Sequence, residues 1–260
     1  MLAAAPALAG AHDLFLTLAT FFQQPHTTAR VSVMNGTYSE SDGAVSRTRV
    51  RDLSLVTAGT RRELDLALWD SASPRLAVVR LPLTEPGTYL LGASLLPREI
   101  TLEGAVFNGY LEEEGILPIL ALRRERGEMG STARERYAKH VKALIQVGDA
   151  RSEDYGTVLG YPAELVPLEN PYSLRRGDTL RVRALVEGMP VLGQTVLYGG
   201  RTRAGARIAP RRTTTDSTGV AGIRLTPAGR WYVKFIHMKP VESDSLDYES
   251  KWATLTFEVR

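Results

Sequence analysis

The chain is cut into short pieces. Between Leu14 and about Leu122, aliphatic and aromatic runs at 14–22, 29–34, 50–56, 76–83 and 88–95 are separated by turn signals at Asn35-Gly36, Ser41-Asp42-Gly43, Ala58-Gly59 and Pro86-Gly87. Runs of this length bounded by such residues form strands. Many strands in succession, without intervening helical patterns, predict an antiparallel sandwich rather than a βαβ layout.

One segment breaks that rhythm. Thr132 and Glu135 have the spacing of a capping box, Ala133, Tyr137, Val141, Leu144 and Ile145 recur at helical intervals, and Gly148 follows. The spacing predicts a helix over about 132–147. Residues 149–163 read as a linker. A second β pattern then runs from Leu180 to Val259, with turns at Gly188-Met189-Pro190, Thr215-Asp216 with Gly219, and Pro227 to Gly229. The expected architecture is mostly β: two antiparallel β-sandwich domains, Ig-like or transthyretin-like, at 12–125 and 164–260, joined by a helix and linker at 126–163.

Composition removes several functions. The 260 residues contain no cysteine, which excludes disulfides, a thiolate nucleophile, a zinc ribbon and an iron–sulfur cluster. A net charge of +3 is too slight to argue for nucleic acid. No apolar run approaches the ~20 residues that cross a bilayer as a helix, so the chain is not expected to span a membrane. The opening residues end in Ala9-Gly10-Ala11, an A-x-A cleavage pattern that would make His12 the first mature residue. Residues 1–11 lack the basic and long apolar regions of a whole signal and read as the tail of one. The protein is therefore expected to be periplasmic or secreted.

Without cysteine, chemistry must rest on histidine, carboxylate, hydroxyl or the chain terminus. A processed N-terminal His12 offers an imidazole and an amine whose reference pKa of about 7.7–8 makes it easy to deprotonate onto a metal. His237 ends the strand 231–238, on the face of Trp231, Val233 and Phe235. A hairpin centred on Ser243 would set His237 opposite Glu249, with Cβ atoms about 4.5–5.5 Å apart. His12, His237 and Glu249 are thus the candidate metal ligands, with Asp13 adjacent, and nickel, cobalt, copper and zinc all suit such donors. His26 reads as a turn residue and His140 as a boundary residue. Glu112, Glu113 and Glu114 read as a solvated loop, and the five arginines between Arg201 and Arg212 as a solvated hairpin. No Gly-x-Ser-x-Gly elbow or phosphate loop is present, and the reading leans away from an enzyme.

Ordered motifs then accumulate: Ala11-His12-Asp13, Asn35-Gly36-Thr37, Arg136-Tyr137-Ala138-Lys139 with Val147-Gly148, Glu169-Asn170-Pro171-Tyr172 and Arg176-Gly177-Asp178. Gly188-Met189-Pro190, Thr215-Asp216 with Gly219, Gly229 with Trp231, His237-Met238, and Glu249 through Phe257 complete them. Through these the chain resembles the domain of unknown function 4198 family, grouped with NikM-like periplasmic components of nickel and cobalt uptake. Its second half also resembles transthyretin-like modules. The resemblance implies a periplasmic metal-binding accessory of a membrane importer, with His12, His237 and Glu249 matching the family's positions. At 140 this chain has His where the family pattern leads one to expect an aromatic. Two rival readings stand beside it. One is a glycan- or protein-binding module displaying Trp69, Tyr110 or Trp252. The other is an N-terminal-histidine-brace copper protein with His12 on a flat exposed face.

Overall fold

A computed structural model describes residues 12–260; the expected leader tail at 1–11 lies outside them. The first half comprises β1 (Asp13–Thr17), β2 (Phe22–Gln23), β3 (Thr27–Gly36), β4 (Val50–Thr57), β5 (Thr60–Glu63), β6 (Trp69–Asp70), β7 (Ala77–Leu83), β8 (Gly87–Leu95) and β9 (Arg98–Leu102). Two helices follow, α1 (Gly104–Glu113) and α2 (Leu117–Glu125), then β10 (Ala133–Val147). The remainder is β11 (Ala163–Pro167), β12 (Thr179–Val186), β13 (Met189–Pro190), β14 (Thr195–Thr202), β15 (Arg207–Thr214), β16 (Val220–Arg224), β17 (Gly229–Pro240) and β18 (Tyr248–Val259). The protein is mostly β, as the punctuation predicts.

The strands form three sheets. The largest, of ten strands, runs β15-β14-β17-β18-β10-β8-β4-β5, with β2 and β9 also pairing β10. Its centre is the parallel pair β10–β18, flanked by the antiparallel hairpin β17–β18. The units expected at 12–125 and 164–260 therefore share one sheet rather than standing apart. A smaller sheet, β1-β3-β7-β6, covers one face, where Thr254 and Thr256 of β18 donate to the Leu14 and Leu16 carbonyls at 2.8 and 2.6 Å. The third sheet, β11-β12-β13 with β16 on β12, covers the other face, where Lys142 of β10 pairs with Glu164 of β11. We call these the first and second faces. The 149–162 segment is tied down between β10 and β11: Asp154 accepts from the Ala58 and Gly59 amides at 3.0 and 2.7 Å.

The helix expected at 132–147 is instead β10, a fifteen-residue strand. From Lys139 onward it is buried on both sides, because small sheets cover both faces of the large one. Burial of that kind erases the alternation that marks a half-solvated strand, and the remaining apolar positions mimic helical spacing. The helices lie earlier, inside the stretch read as β. Phe107, Tyr110 and Leu111 of α1 bury at i, i+3, i+4 against Ile236, Met238, Tyr248 and Trp252 on the first face. Pro118 opens α2 at a position where its missing N–H costs nothing.

A candidate binding recess

On the first face, β1, the turn after β3, the end of α1 and the β14–β15 hairpin enclose a recess of about 860 Å³. Phe15, Tyr38 and Tyr232 form its aromatic side, with ring centroids 5.1–5.3 Å apart. Its deepest charge is Lys234, which β17 directs to the first face by strand alternation. Lys234 Nζ lies 2.5 Å from Asp13 Oδ2 and 2.8 Å from Glu114 Oε1. The two carboxylates hold the lysine above its ordinary value against the opposing effect of burial. Burial, reinforced by Asp13 and opposed by Lys234, pushes Glu114 up to about 7. Asp13 Oδ1 is buried without a hydrogen-bond partner among the described residues.

The lip of the recess is built by a tight turn. Asp13 of β1 registers opposite Gly36 of β3, and the chain then folds back through Thr37 N→Glu40 O at 2.9 Å and Asp42 N→Asn35 O at 2.9 Å. A Cβ on Gly36 would overlap the Asp42 carboxylate and the Glu40 carbonyl, so only glycine lets this turn close. The result sets Asp42 Oδ2 2.8 Å from His12 Nδ1. Beneath His12, the Lys139 ammonium donates to the His12 carbonyl and lies 4.9 Å from the Trp252 ring centre. Burial pushes Lys139 down to about 8, against the upward pull of Asp13. His12 thus sits at the mouth of a concavity rather than on a flat face.

His237 and Glu249 lie elsewhere. In β17, Lys234 and Ile236 face α1 and β1, so His237 projects from the second face. Its Nδ1 meets Gln194 Oε1 at 3.2 Å, and burial with neighbouring Lys251 and Lys239 lowers its pKa. The hairpin register is shifted by two from the expectation: His237 opposes Lys251, and Glu249 opposes Lys239, its ion-pair partner at 3.4 Å. The wide loop between the strands, closed by Val241 N→Asp247 O at 3.0 Å, imposes no tight-turn register of its own. The structure therefore does not bring His12 together with His237 and Glu249. Among the described residues, no group of three or more histidine, aspartate or glutamate side chains converges to hold a metal ion.

Other candidates resolve into structural roles. His140 is buried on the second face, its Nδ1 2.9 Å from Ser94 Oγ and its Nε2 without a partner among the described residues; burial first, then Arg51 and Lys251, lowers it to about 4. His26 occupies a positive-φ turn position, at 56°. Trp69, Tyr110 and Trp252, which a recognition surface would display, are 1%, 2% and 4% exposed. Two elements of the recess escaped sequence reasoning. Glu114 belongs to a carboxylate run that reads as solvated, and Lys234 hides in an apolar strand; an isolated lysine amid Trp231–Met238 was the available signal.

Fold and recess together define a mostly β protein with a ligand-sized cavity of mixed charge. The chain belongs to the family described as Domain of unknown function (DUF4198), whose model matches residues 9–239. No curated protein matches it. Among solved structures it is similar to trypsin-activated alpha-2-macroglobulin from Escherichia coli (12% identity, TM-score 0.24), covering 98% of this chain and 16% of that one. It is also similar to the tetra-tandem repeat of a large adhesion protein (11%, TM-score 0.25; 95% and 49% covered). A third is the Parabacteroides merdae β-glucuronidase (10%, TM-score 0.20; 96% and 25% covered). The chain spans between about a sixth and a half of those chains, and at such TM-scores the likenesses carry no argument about its role. No helix among the described residues is long and apolar enough to cross a membrane.

Proposed function

We propose that this protein is an exported, periplasmic accessory that captures a divalent transition metal, nickel or cobalt, for a membrane importer. The observation that supports it is the His12–Asp42 pair at the lip of the recess, 2.8 Å apart. Two donors each about 2.1 Å from one ion and at right angles around it stand about 3 Å apart. A cation can therefore be held between ring nitrogen and carboxylate at nearly their present separation once both groups turn to aim their lone pairs at it. Cleavage before His12 would add the terminal amine as a third donor, chelating with Nδ1 of the same residue. His237 and Glu249 play no part in this site. The resemblance of the sequence to NikM-like components of nickel and cobalt uptake supports this reading, and copper and zinc would suit the same donors.

The test is calorimetric titration of nickel, cobalt, copper and zinc into protein beginning at His12. The comparison proteins carry one extra N-terminal alanine, or His12→Ala. Both changes are expected to weaken binding at least about tenfold, the loss of one of three donors. Equal affinities across the three proteins would overturn the proposal.

A further inference from the structure

The recess is far larger than an ion requires. A water-sized occupant takes about 30 Å³, whereas the recess offers about 860 Å³, the size of sites for small organic molecules. Its charges are also sorted by wall. Asp13, Glu40, Asp42, Glu113 and Glu114 come from β1, the turn after β3 and the end of α1. Arg201, Arg207 and Arg212 come from the β14–β15 hairpin opposite.

Among the described residues, none of these three arginines has an ion-pair partner. Arg201 and Arg207 are direct register partners across the hairpin, and like charges directly opposite one another cost stability. Leu197 and Arg201 alternate with the second-face residues of β14, and Leu197 registers with Lys234, so this pair shares the recess face. The Arg201 guanidinium meets neutral acceptors, donating to Ser39 Oγ at 2.7 Å and the Gly205 carbonyl at 2.6 Å. Arg212 reaches the Glu112 and Glu113 carbonyls at 3.3 and 3.2 Å. Lys234, by contrast, is consumed by Asp13 and Glu114. Charged edge strands also deter sheet-to-sheet association, but that purpose needs no arginine pair turned toward a cavity. Planar guanidiniums suit carboxylates, which they bind in bidentate fashion.

We infer that the recess takes its metal as the complex of a small polycarboxylate, whose free carboxylates meet Arg201 and Arg207 while the ion meets His12 and Asp42. The aromatic side formed by Phe15, Tyr38 and Tyr232 supplies apolar contact for the chelator's carbon skeleton. This inference rests on the metal-capture reading above.

Equilibrium dialysis of protein beginning at His12 tests it, using nickel alone, radiolabelled citrate alone, and preformed nickel–citrate. Labelled citrate should be retained together with nickel, and the complex should bind at least about tenfold more tightly than either component. The Arg201→Gln/Arg207→Gln double variant should lose citrate retention and keep its affinity for nickel alone. Arg62→Gln, on the exposed and distant β5, should change neither, and thermal melting checks that each variant is folded. Nickel retained at full affinity without citrate, citrate retained equally without nickel, or a double variant that behaves like the parent would each overturn the inference. The first of these leaves metal capture standing; failure of nickel to bind in any form overturns both.

Discussion

Lys234 and Asp13, 221 positions apart in the chain, meet at 2.5 Å under the first face of the large sheet. Lys234 there answers two carboxylates, since Glu114 lies on its other side. Removing one member of such a buried cluster leaves uncompensated charge in a medium that solvates it poorly. Lys234→Met is expected to destabilise the fold by about 3–5 kcal/mol in urea unfolding. Adding Asp13→Asn to that variant should recover part of the loss, because fewer charges are then stranded. A double variant no more stable than the single one would show that the pair is not energetically coupled.

Glu114 makes stability depend on pH in a particular direction. Its pKa rises from 4.5 to about 7 on folding, chiefly by burial. Between those values the unfolded chain has released a proton that the folded one keeps, so stability falls as pH rises from about 4.5 to 7 and is level above. Glu114→Gln should abolish that part of the slope when melting temperatures of the two proteins are compared across the window.

His140 acts in the opposite sense. Burial lowers it from 6.5 to about 4. As pH falls through that interval the unfolded chain takes up a proton that the folded chain refuses, and stability is lost. Between pH 7 and pH 4 the parent should therefore lose about 2–3 kcal/mol of stability relative to His140→Phe. Parallel stability profiles would remove His140 from the account.

The metal reading separates two histidines that the sequence places together. Asp42→Asn should weaken nickel binding at least about tenfold with an unchanged melting temperature, while His237→Ala should leave affinity within about twofold. Weakening by His237→Ala would mean that a ligand set spans both faces of the sheet, against the strand alternation described here.

Strand content was legible because β3, β4, β7 and β8 are bounded by turn residues whose backbone preferences are local. The central strand was not, since burial of β10 on both sides depends on partners more than a hundred positions away, such as Trp252 opposite Lys139. The site was half legible for the same reason. His12 stands out by type and position, but its partner Asp42 depends on a turn that Gly36 alone allows to close. Lys234 stands out as an isolated lysine in an apolar strand, but its two carboxylate partners and the Arg201–Arg207 pairing become visible only when the strands are set in register. His237 and Glu249 share a face as expected, but the loop between their strands displaced one past the other.

The last strand, β18, lies between β17 and β10 rather than at a margin. Until Tyr248–Val259 has been made and inserted, the two halves of the large sheet expose bare edges toward each other. Loss or mispairing of that single strand would thus split the large sheet into two blocks and leave two long strand edges open to association with other chains.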